Sequence, residues 1–86
     1  MSDLGKKVES ALQGLNLKAP RIEVEDLDHS VIATVESGSF SGMDEAERQR
    51  IVWEALRESL TELERSAVEF VFTSAPDERE LDEQAV

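Results

Sequence analysis

Leu4, Val8, Leu12 and Leu15 recur at steps of three and four, with Ala11 beside them. That spacing places the apolar side chains on one stripe of a helix. Ser2 or Asp3 can cap its start and Gly14 can end it, before Lys18-Ala19-Pro20 breaks the pattern. From Arg21 to Asp26 the period changes to two: Ile22 and Val24 alternate with Arg21, Glu23 and Glu25. This is the pattern of a strand with one face in water. Asp26 to Ser30 is polar and short enough for a hairpin. Val31, Ala33 and Val35 then alternate with Ile32, Thr34 and Glu36. This second strand is apolar on parts of both faces, which suits a more central place in a sheet.

Ser37-Gly38-Ser39 and Ser41-Gly42 bracket Phe40 in a loop. Asp44 with Glu47 three positions on resembles a capping box. A helix is predicted from there to about Glu64, with Val52, Leu56, Leu60 and Leu63 as its apolar stripe and Met43, Ile51 and Ala55 in support. Its polar face carries Arg48, Arg50, Glu54, Arg57, Glu58 and Glu62, and any break into two pieces is expected near its start. In Ala67–Thr73, Val68, Phe70 and Phe72 fall on one strand face, and Ala67, Glu69, Val71 and Thr73 on the other. The order helix, strand, strand, helix, strand predicts an α/β (α+β) sandwich: a three-stranded sheet with helices packed on one face. A strand arriving from a helix can pair in parallel with its neighbour through a right-handed crossover. That order resembles the type II KH-like α-β-β-α-β topology.

Composition narrows the function. The chain has 86 residues, 40% of them hydrophobic, which is enough for one small domain. We assign the domain to 1–76 and an acidic tail to 77–86, which has too few apolar residues to fold. The absence of cysteine excludes disulfides, a thiolate nucleophile and metal sites built on its own thiolates. The N-terminal stretch is charged and amphipathic rather than a signal sequence, and no apolar run approaches the ~18 residues that span a bilayer. The expectation is a soluble, cytoplasmic protein that does not enter a membrane.

The formal net charge is −11; without the tail, eight bases face fifteen acids. An acidic domain is poorly suited to phosphate backbones. His29 is the only histidine, so alone it can give one ligand of a shared metal site and no more. Arg48 and Arg50, with Arg57 and Arg65, offer either ordinary helix-surface charge or a docking patch. Trp53 is either a helix-to-sheet packing residue or an interface anchor. Glu23 and Glu25 point to solvent by strand alternation, and Asp44 and Glu47 are explained by capping. No nucleophile–base pair or phosphate loop is present, and the expectation is a non-enzyme. GSFSG, Gly38 to Gly42, has its glycines one position too far apart for the KH loop that grips RNA.

Three segments are similar to the BolA family. Glu23–His29, EVEDLDH, resembles the family's E-V-E-D-E-S-H. Phe40-Ser41-Gly42, Arg48-Gln49-Arg50, Val52-Trp53 and Leu56 resemble its F-x-G, R-H-R, V-Y and L at identical spacing. Ser66-Ala67-Val68 and then Pro76-Asp77-Glu78 resemble H-A-L and T-P-E-E. The resemblance implies the KH-like fold, usually with a short extra helical turn before the main helix. It also implies an adaptor role with a monothiol glutaredoxin and a shared [2Fe–2S] cluster, in iron–sulfur trafficking or iron regulation. Where the family places its C-terminal cluster-binding histidine this chain has Ser66, and the histidine of R-H-R is Gln49. A hydroxyl is a poor ligand for cluster iron, which favours imidazole or thiolate. The resulting expectation is an adaptor that docks on a glutaredoxin or other iron–sulfur partner through Arg48, Arg50, Trp53 and Ser66. It would hold no cluster alone, with His29 as the one remaining metal-ligand candidate. The alternatives are a DNA-binding transcriptional regulator using the arginine face, or a protein-interaction module unrelated to iron.

Overall fold

The computed structural model describes residues 3–77. Its elements are α1 (Asp3–Gln13), β1 (Arg21–Asp26), β2 (Val31–Glu36), a 3-10 turn (Gly38–Phe40), α2 (Glu45–Ser59), α3 (Glu62–Ser66) and β3 (Val68–Ser74). The sheet order is β1-β2-β3, with β1 antiparallel to β2 and β2 parallel to β3. The predicted α+β sandwich is thus the observed one. Of the predicted tail only Asp77 falls among the described residues, accepting a hydrogen bond from Ser41 Oγ at 3.0 Å.

The core forms where the stripe of each helix meets one face of the sheet. Val8, Ala11 and Leu12 of α1, Val31, Ala33 and Val35 of β2, and Val52 and Leu56 of α2 are all buried. Phe40 is fully buried and is the largest such side chain. The loop it lies in is tied down by a buried hydroxyl: Ser37 Oγ donates to Lys18 O (2.7 Å) and accepts from Ser39 N. Gly42, at φ +77°, makes the turn into α2 that a side chain would strain.

The structure corrects the reading of the long helix and of β3. The helix does not run to Glu64, and its break lies near its end rather than its start. Leu60 and Thr61 are extended, and Thr61 begins α3 with a full capping box: its side chain accepts from Glu64 N and Glu64 returns to Thr61 N. The Thr-x-x-Glu signature was present in the sequence, but the continuing leucine spacing masked it. Lys7 reaches across from α1 to Glu64 at 2.5 Å, and together with the Thr61 amide it holds that carboxyl below the usual range. Thr61→Ala is expected to cost about 1 kcal/mol of stability, measured by urea denaturation. A change within error would mean the cap does not define the break. Leu63, placed in the apolar stripe by spacing, is instead 82% exposed, because the break turns α3 off the axis of α2.

In β3 the pairing skips a residue: Val31 faces Val68 while Ile32 faces Phe70. The extra residue reverses the alternation. Val68 and Val71 enter the core, and Phe70 and Phe72 come out on the open face of the sheet.

Candidate functional site

The four predicted partner-binding residues differ in their surroundings. Arg48 is buried, correcting its assignment to the polar face. It lies four residues before Val52 and eight before Leu56, so it occupies the core stripe of α2. Its Nη2 donates to Phe40 O at 2.7 Å, and the guanidinium carbon lies 5.8 Å from the centre of the Phe40 ring. Glu45 Oε2 is 3.9 Å from Nη1. Arg48 therefore clamps the loop carrying Phe40 onto α2.

Arg50 is exposed and held between Glu47 and Glu54, the latter at 3.1 Å. The hydrogen bond from Arg50 keeps the Glu47 carboxyl below its usual range. Trp53 is half-buried against the core, and its Nε1 donates to Gln49 Oε1 at 3.0 Å. Gln49, which the sequence reading treated only as a lost histidine, proves to be the joint between α2 and β3. Its Nε2 donates to Val71 O (2.8 Å) and to Glu45 Oε1 (2.9 Å), while Thr73 Oγ1 donates to the same carboxylate. An amide can donate and accept at once, as this position requires. Arg65 is also engaged, donating to Leu60 O at 3.1 Å. Arg48, Arg50 and Arg65 thus offer less to a phosphate backbone than their count suggests, while Arg57 is exposed.

Ser66 and His29 lie on two segments that adjoin through the sheet. The β1–β2 hairpin closes with Leu27 N donating to Ser30 O (2.8 Å), and the next residue, Val31, donates from its N to Ala67 O (2.9 Å). The hairpin carrying His29 and the α3–β3 junction carrying Ser66 therefore meet at one end of the sheet. Both residues are exposed. Each of these segments also exposes a leucine: Leu63 on α3, and Leu27 in the hairpin, 42% exposed. Glu62, Leu63 and Ser66 line a shallow depression there. The sequence reading missed both leucines because helical spacing put Leu63 inside and the hairpin was read simply as polar.

The donor set at this end does not fit an iron–sulfur cluster on its own. Ser66 Oγ donates to Leu63 O at 2.6 Å, which commits the hydroxyl to its own helix. His29 supplies one imidazole, and no group of three or more potential metal-ligating side chains occurs among the described residues. The acidic clusters give no constellation either: Asp44 accepts from Glu47 N at 3.1 Å as a helix cap. The glycine-bracketed loop buries Phe40 in its 3-10 turn, which is packing rather than an RNA grip. Among the described residues no helix is long and apolar enough to cross a membrane.

No protein-family model matches the chain, and no curated protein sequence does. Solved structures do. BolA1 from Arabidopsis thaliana is 23% identical with a TM-score of 0.65, over 91% of this chain and 98% of that one. The BolA domain of SufE1 from the same plant is 17% identical with a TM-score of 0.62, over 91% and 98%. A bolA protein homologue from Coxiella burnetii is 26% identical with a TM-score of 0.58, over 91% and 92%.

Proposed function

We propose, on the premise that the chain is BolA-like in fold, that it is a non-enzymatic adaptor. It docks on a monothiol glutaredoxin or another iron–sulfur partner through the sheet end bearing Leu27, His29, Leu63 and Ser66. The observation that carries this reading is that the hairpin with Leu27 and His29 adjoins the α3–β3 segment with Leu63 and Ser66, both leucines being exposed and Ser66 standing where the sequence resemblance puts the family's cluster histidine. Leucines open to water at a polar-rimmed end give an interface apolar area to bury. Any cluster in the complex would be held by the partner, with His29 as the single imidazole this chain can offer. Arg50 is exposed but held between Glu47 and Glu54, and Trp53 is half-buried against the core. That leaves the regulator reading with few free cations on the helix.

Calorimetric titration of a cluster-free monothiol glutaredoxin tests the docking surface. A 1:1 complex is expected. Leu63→Asp, at a position too exposed to affect folding, should weaken it about tenfold or more, ~1.4 kcal/mol, whereas Arg50→Glu should leave it within about twofold. Equal affinity for Leu63→Asp and the parent chain would place the interface elsewhere.

A further inference from the structure

The face of the sheet that no described helix covers carries a second pattern, separate from the hairpin end. Pairing across the strands sets its side chains in rows. Glu25, Ile32 and Phe70 form one row, and Glu23, Thr34 and Phe72 the next. Each row runs from an acid on β1 to an aromatic ring on β3. Phe70 and Phe72 are 58% and 55% exposed, and their rings stack with centres 6.0 Å apart. The chain has only three phenylalanines and one tryptophan, so two of its four aromatic residues lie in water. The register skip at Val68–Phe70 puts them there while keeping Val68 and Val71 in the core. Among the described residues the helices cover the opposite face of the sheet.

We propose that this face docks a basic amphipathic helix of a partner protein. The apolar stripe of that helix would lie on Phe70, Phe72 and Ile32, with its lysines and arginines above Glu23 and Glu25. Charge selects this occupant. Among the described residues the one base in these β1 positions, Arg21, lies 3.8 Å from Glu23, so the acids dominate. A second copy of the chain, itself at −11, would set acids against acids. Sheet aromatics can also stack nucleic-acid bases, but that mode needs cations for the phosphates, and this face supplies the opposite sign. A helix laid across the rings would complete a second layer on the sheet and place cations near aromatic faces.

The probe is a fluorescein-labelled synthetic peptide of leucine and lysine at helical spacing, about four turns long. Its control is the same composition scrambled. Anisotropy should show saturable binding of the ordered peptide, with the scrambled one about tenfold weaker or more. The pair Phe70→Ser with Phe72→Ser, and separately Glu23→Lys with Glu25→Lys, should each weaken the ordered peptide by a similar factor. All four side chains are exposed, and thermal melting checks that both variants fold. Equal binding of ordered and scrambled peptides would overturn the proposal, because charge alone would explain it. So would indifference to either pair of substitutions, or displacement of the peptide by a single-stranded RNA. A dimer in sedimentation velocity that the phenylalanine substitutions dissociate would also overturn it, by assigning the face to self-association.

Discussion

Phe40→Ala is expected to lower the free energy of unfolding by about 3–5 kcal/mol, the range for removing a buried aromatic ring from a core. Phe40 is fully buried, and its loop joins β2 to α2. Three contributions are lost together. The ring's burial goes first, and a cavity remains because the sheet and α2 are held apart by Leu12, Val52 and Leu56. The guanidinium of Arg48 then loses the ring beneath it. A domain of this size has a total stability of only ~5–15 kcal/mol at best, so the variant should be partly unfolded at physiological temperature. Guanidinium denaturation followed by circular dichroism measures the change. A loss below about 1 kcal/mol would mean the loop repacks and Phe40 does not anchor the fold.

Arg48→Glu is expected to cost a similar amount, about 3–5 kcal/mol, by leaving a buried charge without compensation. The guanidinium now donates to Phe40 O and lies near Glu45. A carboxylate there would face a carbonyl oxygen and another carboxylate, and burial would add to both repulsions. The sign of the pH dependence follows. The substituted carboxyl would titrate above its unfolded value, so its neutral form is favoured in the folded chain. The penalty should be smallest below about pH 4 and grow as pH rises toward neutrality. Arg48→Met separates charge from packing. It keeps the stem and removes the guanidinium, while Phe40 O retains its bond from Met43 N. Its cost should therefore be about 1–2 kcal/mol, the scale of one charge-assisted hydrogen bond partly offset by relief of desolvation. Equal losses for Glu and Met would show that shape rather than charge governs the position.

The two predictions also mark where the sequence was hardest to read. β1, β2 and the cap at Asp44 were legible because alternation and capping are local signals. Every boundary of those strands agrees with the structure. Arg48 was assigned to the surface because its charge outweighed its place in the stripe with Val52 and Leu56. The spacing was visible, but the carbonyl and ring that compensate the charge come from a loop eight residues away. The faces of β3 could not be read at all from its own residues, since the extra residue there is defined by pairing with β2. The end of α2 could have been found: Thr61 and Glu64 were in capping-box spacing. The proposed docking end was half legible. Ser66 and His29 stood out by comparison with the family pattern, whereas their meeting depends on the hydrogen bond from Val31 to Ala67. Leu27 and Leu63 became candidates only once their exposure was known.

The most direct test is a titration of the chain into a monothiol glutaredoxin loaded with its [2Fe–2S] cluster, followed by size-exclusion chromatography and visible circular dichroism. The account predicts a 1:1 complex in which the cluster bands stay close to those of the glutaredoxin alone, because the hydroxyl of Ser66 is committed to Leu63 O. Ser66→His should then alter the bands in the same complex, by adding an imidazole donor at the docking end. Failure of the two proteins to associate, with or without cluster, would contradict the adaptor reading itself.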